Sequence, residues 1–125
     1  MAKLSALVAK SMKGLEKAVA RGAKRGCLLA AQHLQRKSQA IVPVDTSTLK
    51  KSASITDESS DTEAKYRVSY ATHYAIYVHE NLTAVHNTPP GARAKFLEEP
   101  AIAERKFMRK IIETEIAKAI RKETS

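Results

Sequence analysis

The chain is poor in the residues that cross-link, break or tether a small protein. It has one cysteine, no tryptophan, four glycines and four prolines among 125 residues. A single cysteine cannot close a disulfide within the chain, which excludes the disulfide-rich class of small secreted domains and fits a reducing cytosol. No glycine-rich loop that could cradle a phosphate occurs. A chain of this length is expected to form one domain with a single modest core.

Long apolar runs are also missing. No stretch approaches the roughly 18–20 apolar residues that span a bilayer. At the N-terminus only residues 4–9 separate Lys3 from Lys10, which is too short for the apolar core of a signal peptide. We therefore expect a soluble protein that is made in a cytoplasm.

Acidic residues are few, with 13 Asp and Glu against 22 Lys and Arg and a net charge of +9. The imbalance is uneven along the chain. Residues 1–42 hold nine basic and one acidic residue, residues 43–64 hold two and five, and residues 65–125 hold eleven and seven. A basic first segment followed by an acidic middle segment suits contact with partners of unlike charge.

The first forty residues are predicted to be helical. Apolar or small residues recur three or four positions apart over residues 4–41, with Lys and Arg on the other faces. Each of Gly14, Gly22 and Gly26 costs about 1 kcal/mol relative to alanine, so we expect a break or bend between Gly14 and Gly26. An unbroken helix over residues 4–41 would be about 57 Å long, longer than a domain of this size. Part of it must then project, fold back or dock on a neighbour, and Pro43 ends it.

The middle of the chain is predicted to form a small, largely antiparallel sheet. Residues 52–56 and 65–71 are predicted as strands, the second because apolar and polar residues alternate cleanly. A polar hairpin loop at 57–62 joins them. Helical spacing then predicts a short helix over 72–79, on the basis of three tyrosines: Tyr70, Tyr74 and Tyr77.

The last element is predicted to be a helix that begins near Glu98, with Pro100 tolerated in its first turn. The fold class is therefore α+β, with a long N-terminal helix and a C-terminal helix packed on the sheet. Within one domain, residues 1–42 form the long basic helix, residues 43–94 form the sheet, short helix and loops, and residues 95–122 form the C-terminal helix.

Candidate chemistry is sparse. One dense cluster of possible metal ligands occurs, made of His73, His79, Glu80 and His86. The zinc-protease spacing of two histidines four apart, with Glu after the first, is absent. We interpret these histidines as capping and packing residues, and we predict no metal and no cofactor. No Ser/His/Asp arrangement has a local signature, so we predict that the protein is not an enzyme.

Three motifs, in order and spacing, resemble one family over roughly residues 10 to 115. Small neck proteins of tailed bacteriophages (head–tail connector, tail-completion or tail-terminator components) carry a Pro–x–Asp–Thr–Gly–x–Leu-like turn, a Tyr–Ala–x–Tyr–Val–His–Glu segment and a Lys–Phe–Leu–Glu–x–Pro–Ala start of the last helix. The matching residues here are Pro43, Asp45, Thr46 and Leu49, then Tyr74, Ala75, Tyr77, Val78, His79 and Glu80, then Lys95, Phe96, Leu97, Glu98 and Ala101. Ser47 departs from the family pattern, because it stands where glycine is usual.

The resemblance implies a non-enzymatic structural virion protein that is made in the host cytoplasm and forms a ring at the head–tail junction. The implied partners are further copies of the chain, six or twelve in the ring, together with the head-closure or connector proteins and the tail-tube protein. Packaged DNA would lie close by, and no membrane partner is implied. The alternative from a different class is a small basic DNA-binding protein.

The role of the basic first segment stays open between three interpretations. Nucleic-acid binding follows directly from its charge, but the segment has no aromatic residue for stacking and no recognisable DNA-binding motif. Contact with an acidic loop of a neighbouring subunit is the interpretation that we favour, and residues 57–63 are such a loop. A solvated face that only confers solubility is the third.

Two sets of residues follow as candidates. The candidate subunit interface consists of charged residues from the first helix and the acidic loop: Lys17, Arg21, Lys24, Arg25, Asp57, Glu58 and Asp61. The candidate structural anchors lie where helices and strands meet chain breaks: Pro43, Asp45, Leu49, Tyr74, Tyr77, Phe96 and Leu97.

Overall fold

The computed structural model describes residues 2–42, 47–71, 74–80, 86–87 and 94–124, with side chains from residue 6 onward in the first of these ranges. The elements in chain order are α1 Ala2–Gln39, α2 Ser47–Lys51, β1 Ser54–Asp57, β2 Lys65–Ser69, β3 Ala75–His79, β4 His86–Asn87, α3 Lys95–Ala103 and α4 Arg105–Thr124. Long terminal helices on a small antiparallel sheet make an α+β fold, as the sequence predicts.

The sheet is an antiparallel meander in the order β1-β2-β3-β4, with β4 only two residues long. Val68 in the central strand β2 lies opposite Ile55 of β1 and Ile76 of β3. The predicted alternation in β2 is confirmed, because Tyr66 and Val68 are buried while the residues between them are partly exposed. One face of the sheet therefore contributes to the core.

The short helix predicted over 72–79 is wrong, because Ala75–His79 forms strand β3. Each of its residues pairs with a residue of β2, from Ala75 opposite Ser69 to His79 opposite Lys65. The segment is rich in β-branched and aromatic residues, which favour a pleated strand. Its pairing with β2 satisfies backbone groups that an isolated short helix leaves open. The helical spacing of the tyrosines does not reflect a helix.

The C-terminal helix begins earlier than predicted and is divided in two. Helix α3 starts at Lys95 rather than Glu98, and Pro100 lies in its second turn, where it is buried. The backbone leaves helical geometry at Glu104, and α4 follows from Arg105. The division lets α3 contact the sheet while α4 packs along α1.

Helix α1 runs unbroken from Ala2 to Gln39, so the predicted break near the glycines does not occur. The glycines face α4 instead. A Cβ added at Gly26 would lie 2.7 Å from the Cα of Ile112, and one added at Gly22 would lie 2.6 Å from the Cα of Ile116. At Gly14 the neighbour is the carboxylate of Glu123. The contacts pair rising residue numbers in α1 with falling residue numbers in α4, so the two helices are antiparallel. The short distances at Gly22 and Gly26 show that their backbones are in contact.

The core lies between α1, the sheet and the two C-terminal helices. Its fully buried members from α1 are small, including Ala23, Cys27 and Ala30, with Leu34 the largest. Larger side chains come from the other elements: Val68, Ile76, Val78, Leu97, Met108 and Ile112. Small residues on the central helix allow the surrounding elements to approach it closely.

Alanine at Gly22 or Gly26 is expected to destabilise the fold, although alanine favours helix by about 1 kcal/mol. The added methyl group meets backbone atoms of α4, and overpacking of this kind costs about 1–3 kcal/mol. Gly14→Ala is the matched control, because its nearest neighbour is the end of a flexible glutamate side chain. Thermal melts of the three variants would test this, and equal melting temperatures would contradict the close packing.

Leu97→Ala is expected to cost about 2–5 kcal/mol of unfolding free energy, because Leu97 is fully buried. Phe96 is only half-buried and meets Tyr70 edge-on at 5.0 Å between ring centroids. Phe96→Ala should therefore cost less than the roughly 3–5 kcal/mol of a fully buried phenylalanine. Urea titrations would rank the two, and a larger loss for Phe96→Ala would contradict this account of the anchor.

Candidate interaction surface

Helix α4 covers only part of α1. Its last residue, Thr124, follows Glu123, which lies beside Gly14. Residues 2–13 of α1 extend beyond this point, a length of about 18 Å at 1.5 Å per residue. Every side chain from residue 6 to residue 13 is exposed. We call residues 2–13 the overhang. It confirms that part of the long first helix projects from the domain.

The overhang carries uncovered apolar side chains. Val8 is 51% exposed and Met12 57%, and the same helical stripe continues through Leu15 to Val19. The spacing of four, three and four residues places these side chains in one row along the helix. A shallow cavity of about 320 Å³ lies over Met12, Leu15 and Val19. Single exposed apolar residues are common on monomers, whereas a contiguous row marks a contact surface.

A second, acidic concavity lies at the root of the overhang. It has a volume of about 420 Å³ and lies between α1 and the loop that joins β1 to β2. Its acidic lining residues are Glu16, Asp61, Glu63 and Glu80. We call this concavity the acidic groove. It shares Glu16 and Val19 with the apolar cavity, so the two form one continuous surface.

Five of the seven candidate interface residues make ion pairs to other elements of the same chain, and two of these pairs are made with α4. Arg25 lies 3.2 Å from Glu115 and Arg21 lies 3.6 Å from Glu123. Glu58 lies 3.2 Å from Arg67 of the neighbouring strand. Arg21 and Arg25 are largely exposed, and exposed pairs of this kind contribute about 0–1 kcal/mol each.

One ion pair joins the basic helix directly to the acidic segment. Lys24 of α1 lies 3.3 Å from Asp57 at the end of β1. At this point the basic helix and the acidic segment therefore pair with each other within one chain. Of the seven candidates, Lys17 and Asp61 alone have no ion pair with another residue of the described ranges.

The candidate anchors fall in different places. Leu97 is fully buried, Phe96 packs on Tyr74 at 5.4 Å between ring centroids, and Leu49 is partly buried against the core. Tyr77 is half-buried in β3, with the ammonium of Lys65 4.5 Å from its ring centroid. Pro43 and Asp45 lie outside the described residues.

Two histidines make buried or partly buried contacts with glutamates. Nε2 of His33 on α1 lies 2.6 Å from a carboxylate oxygen of Glu104 at the α3–α4 junction. His79 of β3 contacts Glu63 of the β1–β2 loop. His33 and Glu104 are 71 positions apart, so no local sequence signal pointed to that pair. Within the described ranges, no three His, Cys, Asp or Glu side chains meet as possible metal ligands.

The thiol of Cys27 is not a reactive site. It is fully buried on α1, against the backbone of Ala64. Burial, and then the carboxylates of Glu80 and Glu63, raise its pKa to about 12. A thiol with such a pKa stays protonated near neutral pH and is a poor nucleophile.

Comparisons with protein-family models, with curated proteins and with solved structures return no match. The resemblance to phage neck proteins therefore stays a prediction from the motifs. Among the described residues, no helix is long and apolar enough to cross a membrane.

The carboxyl group of Asp57 is expected to titrate far below its usual range. Hydrogen bonds from Ser59, through its side chain and then its backbone amide, lower the pKa of Asp57 to about 2, with a smaller effect of Lys24. Because this pKa is lower than the ordinary 3.8, the contribution to stability is complete above about pH 4 and is lost as the pH falls through 2.

Carbon-detected NMR titration of Asp57 would measure this shift. Ser59→Ala should raise the midpoint more than Lys24→Gln does, because the side-chain bond from Ser59, which alanine removes while the backbone amide stays, is the largest single cause. A midpoint close to 3.8 in the unmodified chain, or a larger effect of Lys24→Gln, would contradict this ordering.

Proposed function

We propose that the protein is a non-enzymatic structural component of a tailed-phage virion that forms a ring at the head–tail junction and joins the head connector to the tail tube. One observation carries the proposal. The chain builds a complete core and still projects about 18 Å of helix with an uncovered apolar stripe. A rigid projection of this kind serves contact with another molecule. The proposed identity of the assembly rests on the resemblance of the three ordered motifs to those of phage neck proteins.

Two further features support an assembly role. The projection is continuous with the helix that forms the centre of the domain, so an unbroken helix joins a contact at its tip to the core. The stripe and the acidic groove lie side by side but differ in character, and such unlike surfaces suit head-to-tail contacts that close into a ring. The partners in this proposal are further copies of the chain and the connector and tail-tube proteins.

DNA binding is the second candidate, and one observation favours it. Lys10 and Lys13 are exposed on the projecting part of α1 and Lys17 is exposed just beyond it, all on the side away from the apolar stripe. A row of lysines attracts phosphates without reading sequence. Such binding weakens steeply with added salt, whereas association through an apolar stripe does not.

Sedimentation over a range of protein and salt concentrations separates the two functions. A ring-forming protein is expected to associate without nucleic acid and to remain associated as salt is raised. A DNA-binding protein is expected to stay monomeric alone and to bind duplex DNA with an affinity that falls in proportion to salt on a logarithmic scale.

The particle itself tests the location. Particles built without this chain are expected to accumulate as filled heads and separate tails, and adding the purified protein should join them. Complete particles in its absence would contradict a role at the head–tail junction, whatever the chain does in solution.

A further inference from the structure

We propose that the overhang of one copy docks on the acidic groove and adjoining apolar stripe of the next copy, as a head-to-tail contact. The proposal deepens the proposed ring and rests on self-assembly, although it does not require the head–tail location. It names a contact surface and its occupant, a second copy of this chain.

The first step is the charge that each of the two surfaces carries within one copy. Residues 2–13 contain three lysines and no acidic residue. The groove has four carboxylates, of which Glu63 contacts His79, and two basic residues, Arg21 and Lys24, which pair with Glu123 and Asp57 outside the groove. The charge left to attract a partner is therefore positive on the overhang and negative on the groove.

The second step concerns reach. The overhang and one wall of the groove belong to the same unbroken helix, and the groove begins at Glu16, just beyond the overhang. A continuous helix cannot turn back on itself to fill that groove. The complementary surfaces of one copy therefore meet only on different copies. Since the two surfaces are different, the contact is head-to-tail and can close into a ring.

The third step is the fit. Val8 and Met12 of the incoming overhang would cover Leu15 and Val19 of the next copy, of which Leu15 is partly buried and Val19 is 37% exposed in one copy. Lys10 and Lys13 lie on the other side of the overhang from Val8 and Met12, so they would face the rim of carboxylates on the wall of the groove opposite the stripe, which their long side chains can reach. Asp61 and Glu80 are exposed on that rim.

Pairing of two overhangs with each other is less favoured. It would surround one helix pair with the lysines of both copies, whereas Glu16 is the one acidic residue of the first 42 positions. It would also leave the acidic groove without an occupant. Electrostatic complementarity of this kind sets the register and the choice of partner more than it sets affinity.

Charge exchange tests the contact in the full chain. Lys10→Glu with Lys13→Glu, or Asp61→Lys with Glu80→Lys, should each raise the protein concentration at half-association by roughly tenfold or more, since reversing pairs replaces attraction with repulsion. All four changes in one chain should restore association. The matched control is Lys106→Glu with Lys110→Glu on exposed positions of α4, which makes the same change in charge and should leave association unchanged.

Mixing the two defective variants gives a stricter test. Each reversed overhang then meets a reversed groove, and each original overhang meets an original groove, so the mixture should associate although neither component does. Circular dichroism confirms that the helices are intact in every variant. Analytical ultracentrifugation measures the association.

Several outcomes would overturn the docking. Association that persists in both variants places the interface elsewhere and leaves the proposed ring standing. If neither the variant with all four changes nor the mixture associates, the proposed pairing of the overhang with the groove is wrong. Loss of binding to duplex DNA or to vesicles of anionic phospholipid in Lys10→Glu with Lys13→Glu, with association unchanged, assigns the overhang to that partner. If the chain is monomeric at every concentration, the docking is wrong. The role at the head–tail junction is then tested by the particles built without the chain.

Discussion

The rest of the structure depends on the close approach of α1 and α4 at Gly22 and Gly26. A side chain larger than hydrogen at either position would meet the backbone of α4. The approach brings Ile112 and Met108 over the small residues of α1 and closes the core on one side. The sheet and α3 then close it on the other sides. The cost of glycine within a helix, about 1 kcal/mol per residue, is offset here by packing that no larger residue permits.

This contact also decides which part of α1 remains uncovered. Helix α4 extends from the close contact only as far as Glu123 and Thr124, beside Gly14. The apolar row of α1 does not stop there but continues to Val8. Beyond that point every side chain of α1 from residue 13 back to residue 6 is exposed. The projection is thus a direct result of the unequal lengths of two antiparallel helices.

The basic residues of α1 also differ between the part that α4 covers and the overhang. Along the covered part of α1, Arg21, Lys24 and Arg25 pair with carboxylates of α4 and of β1. These exposed pairs add little stability, but they neutralise three of the positive charges of that segment. Lys10 and Lys13 of the overhang lie beyond the reach of those elements. Positive charge without an ion pair to another described residue is therefore present where the apolar stripe is also uncovered.

The sequence by itself determined the α+β class, the helical nature of both ends and strand β2, because each rests on a local period, and its length limited α1 to projecting, folding back or docking on a neighbour. It did not determine β3, since Tyr74 and Tyr77 match a helical period while pairing with β2 decides the conformation. Nor could it show that the glycines of α1 serve a helix contact rather than a break, or that Lys24 meets Asp57 within the chain. Only the tertiary structure decided these points, because each depends on which distant segments come together, and local periodicity carries no information about that.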